Sequence, residues 1–292
     1  MRKSKTDLNS LLFVLPAIIM FSIFTIYPFV KTFQLSVYKW DGISPVMQFL
    51  GVKNYKEILF NDTLFWRAML NAAIITFLAL TLQNLVALVL AVIIDRGVKF
   101  DKFFRTVYFI PPILSGVVVG LVWKWIYDGN YGILNTVLSF IGLKEYTTSW
   151  LSNPKTALFS VAVVHMWKGF GWGFVILLAG LQTIPRELYE SAAIDGADAF
   201  KQFVHITAPL MMPIFFIVSI LTILGTMQIF DLVYSMTRGG PAGTTEVPIT
   251  YIYKYLANNE LGYSTAMAVI FGLVLFSLSI LQIVISRKVK KT

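Results

Sequence analysis

The sequence predicts an all-α, polytopic membrane protein with six transmembrane helices. Three observations predict it. The 292 residues are 57% hydrophobic and 13% charged, whereas a soluble domain carries about 25% charged residues. Apolar runs of about 20 residues, enough to cross a bilayer, recur along the chain. Basic residues crowd into alternate connecting segments, as the positive-inside bias requires.

The first predicted span is Leu11 to about Phe33, ending near Lys31. It is too long for a signal-peptide core and no small-residue cleavage site follows, so it reads as uncleaved. The second, Ala68 to Ile94, holds no charge. The third runs from Thr106 to about Tyr127, with Lys124 near its end. The fourth, Thr156 to about Thr183, is interrupted by Lys168. The fifth, Thr207 to Phe230, stops at Asp231, and the sixth is Leu261 to Ser286.

Six spans place both termini on one side. That side holds Arg2, Lys3 and Lys5; Arg96, Lys99, Lys102 and Arg105; Arg186 and Lys201; and Arg287, Lys288, Lys290 and Lys291. These are more than half of the 24 basic residues. Both ends are therefore expected in the cytoplasm, and the net charge of +9 needs no nucleic-acid partner. The opposite-side loops are Val37–Arg67, Asp128–Lys155 and Asp231–Glu260. Their edges carry Tyr38, Trp40, Trp66, Trp123, Trp125, Tyr127 and Trp150, which reads as an interfacial belt. The expected organisation is residues 1–66 as tail, first helix and outer loop, 67–286 as a five-helix core containing a loop at 185–209, and 287–292 as a basic tail.

That loop, Pro185 to Pro209, is the odd segment. Glu187, Glu190, Asp195, Asp198, Arg186 and Lys201 cannot lie in hydrocarbon without heavy cost. The loop is longer than most connections and has helix punctuation of its own. Pro185 suits a first helical turn, Glu187 and Glu190 suit a helix N-terminus, and Gly196 is placed to end the helix. A short independent helix on a membrane protein's inner face is a handle for another protein.

Catalytic chemistry is missing. The chain has no cysteine and no G-x-x-x-x-G-K-[ST] phosphate loop. Gly169–Gly173 imitates a phosphate loop but lies inside an apolar run, where close helix packing explains it better. His165 and His205 lack ligand partners at metal spacing. No nucleophile–base pair is visible, so the chain by itself is not expected to be an enzyme. Lys168, about 12 residues into the fourth span, lines a polar pathway, pairs with another helix, or sits in an outer vestibule. Gln228 and Asp231, one turn apart, are expected on one helical face. They either bind substrate hydroxyls beside Trp172, or cap the helix and support the Thr237–Pro241 turn.

Glu190-Ser191-Ala192, three residues, Gly196, nine residues, Ile206 and then Pro209 resemble the "EAA" loop of binding-protein-dependent ABC importer permeases. Ser191 and Ala208 depart from that pattern without moving its spacing. Phe104–Pro111, Pro185–Tyr189 and Phe230–Pro241 are similar to the carbohydrate branch, and to the first permease of sugar and glycerol-phosphate importers. The likeness runs from about Leu12 to Arg287. It implies a type I ABC importer permease fold in a bacterial or archaeal cytoplasmic membrane. It implies a second, homologous permease, two ATPase subunits that use ATP and Mg, and an extracytoplasmic sugar-binding protein, with no cofactor in this chain. The coupling contact to the ATPase is expected at Arg186, Glu187, Leu188, Tyr189, Glu190, Ser191, Ala192, Asp195 and Gly196. The substrate pathway is expected at Lys168, Trp172, Gln228 and Asp231. The competing readings are an ion-coupled secondary transporter, which would need acidic or histidine relays in its spans, and a non-transport membrane scaffold.

Overall fold

The computed structural model describes the backbone of residues 5–289 and the side chains of residues 12–286. Of the expected basic ends, Arg2, Lys3, Lys290 and Lys291 lie outside the described residues, as do the side chains of Lys5, Arg287 and Lys288. The chain divides into two compact units. One takes residues up to Thr63 together with Ile252–Val274, and the other takes Leu64–Tyr251 with the chain after Leu275.

In the first unit, α1 (Lys5–Phe21) runs through a π turn, Ser22–Ile26, into α2 (Tyr27–Ser36). Pro28 follows that turn and has no N–H for the carbonyl of Phe24, so the ladder must adjust. The segment beyond was expected to be plain loop. It instead holds a two-stranded hairpin, β1 (Tyr38–Lys39) against β2 (Gln48–Phe49), and α3 (Lys53–Phe60). Asn54 Nδ2 donates to the carbonyls of Ser36 (2.9 Å) and Tyr38 (3.0 Å), tying α3 to the end of α2. The Tyr263 hydroxyl donates to Asp62 Oδ2 at 2.9 Å.

In the second unit, α4 (Thr63–Leu78), a π turn at Ala79–Gln83 and α5 (Asn84–Asp95) make one long apolar rod. Then come α6 (Asp101–Ile113), α7 (Gly116–Ile126), α8 (Ile133–Phe140) and α9 (Ala157–Leu181). They are followed by α10 (Arg186–Ile194), α11 (Ala199–Gln202), α12 (Ala208–Met227) and α13 (Asp231–Met236). Helix α14 (Pro248–Ala257) leaves this unit at Ile252, and α15 (Leu261–Val289) returns to it at Leu275. The hub is α9. Its Phe174, Leu177, Leu178 and Leu181 meet Ala87, Ala91 and Ile94 of α5 and Met211 and Val218 of α12 in one buried cluster. In hydrocarbon there is no hydrophobic drive between helices, so close approach through alanine and glycine carries the packing. Gly173 of α9 is such a point: a Cβ there would meet the Ala87 Cβ at 3.4 Å.

Among the described residues five helices are long and apolar enough to span, and one bent pair makes the sixth when taken as a single crossing. That pair corrects the expected straight third span: α6 and α7 meet at 97°. Pro111 and Pro112 close α6, and neither can donate to the carbonyl one turn back. Leu114 (φ −70, ψ 143) and Ser115 (φ −58, ψ 134) are then extended before α7 begins. The Tyr108 carbonyl left free by Pro112 faces Gly171 of α9, where a Cβ would collide with it and stand 2.6 Å from Pro112 Cγ. The outer segments are also not bare loops, since α8 and α14 lie in them. Tyr127 is buried rather than belt-like and stands 6.2 Å from the Trp150 ring, whose Nε1 donates to Asn135 Oδ1 at 2.8 Å.

Candidate functional site

The polar loop folds as its punctuation suggested, with one shift. Pro185 stands before the helix rather than in its first turn, and Arg186 opens α10 with Glu187 in the first turn. Gly196 has φ +78. Gly196 N–H donates to the Ala193 carbonyl (3.1 Å) and Ala197 N–H to the Ala192 carbonyl (2.8 Å). These are the paired bonds of a Schellman stop, which needs a left-handed residue at this position. Asp198 then accepts from Lys201 N–H at 2.8 Å and caps α11. A π turn, Phe203–Thr207, leads into α12, whose second residue is Pro209.

Tyr189 fixes the loop to the bundle. Its hydroxyl pairs with Thr207 Oγ1 at 2.9 Å and its ring packs against the buried cluster of α5, α9 and α12. Arg186, Glu187, Leu188, Glu190, Ser191, Asp195 and Gly196 are exposed, and Ala192 is half-buried. Ile194 is 87% exposed and Phe200 75% exposed, one on each side of Gly196. Both are large apolar side chains on an otherwise charged segment. Beneath α10 lies a cavity of about 730 Å³ lined by Asp95, Arg96, Asp101, Arg105, Arg186 and Glu190. Arg105 and Asp101 pair across one turn at 3.4 Å.

A second cavity, of about 640 Å³, opens between α9, α12, α13 and the π turn of the second span. Lys168, Trp172, Gln228 and Asp231 all line it. The reason given for pairing Gln228 with Asp231 does not hold. Helix α12 ends at Met227, Phe230 breaks the chain direction (φ −135, ψ −64), and Asp231 opens α13, so the two share no helical face. Lys168 Nζ donates to the Pro112 carbonyl at 3.4 Å, at the C-terminal end of α6, where a cation is favoured. The Asp231 carboxylate lies directly on Gly116, the first residue of α7, and accepts from its own Leu232 N–H at 2.9 Å. A charge of fitting sign thus stands at each side of the break between α6 and α7.

Sequence reasoning missed Gln83, Thr222 and Thr226, which line the same cavity. The Thr226 hydroxyl pairs with His165 Nε2 at 3.1 Å, and the Thr222 hydroxyl donates to Asn84 Oδ1 at 3.2 Å. Polar residues facing one another across apolar helices were the available signal. Among the described residues no three His, Asp or Glu side chains group closely enough to hold a metal ion. A third cavity, of about 550 Å³, is lined by Lys124, Asp128, Asn130, Thr237 and Pro241 among others. The Thr237 and Thr245 hydroxyls close its loop at 2.7 Å.

The model of the family described as "Binding-protein-dependent transport system inner membrane component" matches residues 83–291, most of the chain and every residue that lines the first two cavities. The chain belongs to that family. It is 35% identical over 274 residues to the probable ABC transporter permease protein YurN of Bacillus subtilis (strain 168), covering 93% of each chain. It is 32% identical over 289 residues to the lactose transport system permease protein LacF of Rhizobium radiobacter, covering 97% of this chain and 96% of that one. Its fold is similar to that in the crystal structure of a bacterial alginate ABC transporter in complex with alginate pentasaccharide-bound periplasmic protein. The TM-score there is 0.84 at 25% identity, covering 98% of this chain and 96% of that one. This permease is therefore a non-catalytic, multi-pass membrane subunit, and ATP hydrolysis belongs to separate subunits of its transporter.

Proposed function

We propose that this permease moves a sugar or oligosaccharide across the membrane, delivered by an extracytoplasmic binding protein and driven by two ATPase subunits that use ATP and Mg. A second, homologous permease completes the pathway. The relatives that carry lactose and alginate support the substrate class. Residues 67–286 act as the core, 1–66 and 287–292 flank it, and both termini and α10 face the cytoplasm.

The observation that carries the coupling role is α10. It is a short helix with a Schellman stop, anchored to α12 through Tyr189 and Thr207, displaying Ile194 and Phe200 outward. Arg186, Glu187, Leu188, Tyr189, Glu190, Ser191, Ala192, Asp195 and Gly196 form the handle that an ATPase subunit grips. ATP favours one arrangement of the ATPase pair, and α10 passes that preference to α12 and the cavity as a population shift. Lys168, Trp172, Gln228 and Asp231 line the substrate path. The loop around Thr237–Pro241 then faces the binding protein.

Two experiments test the proposal. The chain has no native thiol, so Ile194→Cys can be cross-linked selectively. The expected product joins this subunit to an ATPase subunit and changes in yield when ATP binds. Uptake of labelled lactose, maltose and trehalose by the reconstituted transporter then identifies the substrate. Absence of any ATPase adduct, or uptake that needs no binding protein, would overturn the reading.

A further inference from the structure

Gln83 is 7% exposed and borders the cavity shared by Lys168 and Asp231. Its Oε1 is buried and accepts no hydrogen bond. A buried acceptor left unpaired is costly, and native structures rarely keep one without use. Gly169 of α9 makes the room, since a Cβ at that position would stand 2.6 Å from Oε1. The backbone carries a second signal. Three π turns occur among the described residues. Those at Ser22–Ile26 and Phe203–Thr207 lead into Pro28 and Pro209, which explains them. The turn at Ala79–Gln83 leads into no proline. It changes the helical phase at the residue whose amide oxygen lacks a partner, and such turns concentrate at functional sites.

We propose that Gln83 is a substrate contact of this cavity and that its side-chain amide pairs with a hydroxyl of the transported sugar. This rests on the cavity being the substrate path. An amide offers an acceptor and two donors, and a hydroxyl is both donor and acceptor, so either orientation of the amide makes the bond. The neutral amide complements a neutral polyol without adding charge beside Lys168 and Asp231. Neighbouring polar groups are already engaged: Asn84 with Thr222, and His165 with Thr226. The Gln83 amide oxygen retains unused capacity. A site that pairs a substrate hydroxyl rejects the analogue that lacks it.

The test uses the complete transporter in membrane vesicles. Gln83→Cys supplies this subunit's only thiol, and Gln228→Cys serves as the reference cavity thiol. Labelling by a small methanethiosulfonate is read on this subunit by mass, with and without whichever of lactose, maltose or trehalose is transported. Protection of both thiols by sugar is the expected result. Protection at Gln228→Cys, with Gln83→Cys unlabelled or unprotected, overturns the role of Gln83 and leaves the cavity standing. Protection at neither overturns both. In parallel, Gln83→Met should raise the uptake KM about threefold to tenfold, the loss of one neutral hydrogen bond. One monodeoxy sugar should be penalised in the parent and not further in Gln83→Met. Additive penalties for all deoxy positions would overturn the contact.

Discussion

Gly196 separates a backbone requirement from a packing requirement. Its φ is +78, and a Cβ built on it meets nothing within 4 Å. A side chain there is therefore penalised only through conformation. Holding an L-residue in the left-handed region costs about 1–2 kcal/mol. That lowers the population of the stopped helix about fivefold to thirtyfold. Asparagine tolerates this region better than alanine, and β-branched valine worse. Transport coupling should thus fall in the order Gly, Asn, Ala, Val, because Ile194 and Phe200 lose their fixed spacing across the stop. The assay is sugar uptake per ATP hydrolysed in proteoliposomes, with surface expression as control. Gly196→Ala should lose coupling by a similar fivefold to thirtyfold if the stop is required throughout the cycle, while ATP hydrolysis continues. Parental coupling in Gly196→Val would refute the reasoning. Worse coupling in Gly196→Asn than in Gly196→Val would show that a side-chain contact, not backbone conformation, sets the requirement.

Lys168→Met removes an ammonium whose place inside an apolar span costs a few kcal/mol on insertion scales. The variant should insert at least as well as the parent while uptake falls about tenfold, a loss of about 1.4 kcal/mol; parental uptake would make Lys168 a packing residue. Tyr189→Phe deletes the bond to Thr207 Oγ1. It should cost about 0.5–1.5 kcal/mol of stability, visible as a lower unfolding temperature of the detergent-solubilised subunit, with weaker cross-linking of Ile194→Cys to the ATPase. Gly171→Ala drives a methyl into the Tyr108 carbonyl and Pro112. Overpacking of this kind costs about 1–3 kcal/mol, so thermal stability should drop and surface yield with it.

The polar loop was legible because charge stands out between apolar runs, and because Gly196 sits where a helix stop needs it. Lys168 and Asp231 were found by the same contrast, Gln228 and Trp172 as hydrogen-bonding groups near them, and the fold brings all four to one cavity. The reason offered for Gln228 and Asp231 failed because hydropathy does not register the break at Phe230. It also runs smoothly across Pro111 and Pro112, so the 97° bend was not seen although two consecutive prolines announce it. Gln83, Thr222 and Thr226 are single polar residues in apolar helices. Only the phase of each helix shows that they converge, and a π turn that ends at Gln83 resets that phase. Helices α3, α8 and α14 are too short and amphipathic for a span-length window to notice.

Accumulation of labelled sugar in proteoliposomes tests the central claim most directly, with ATP enclosed on the α10 side and loaded binding protein on the other. The account predicts accumulation above equilibrium that requires both ATP and binding protein and survives proton and sodium ionophores. Accumulation that persists without ATP and collapses when an ion gradient is dissipated would contradict it and establish an ion-coupled carrier.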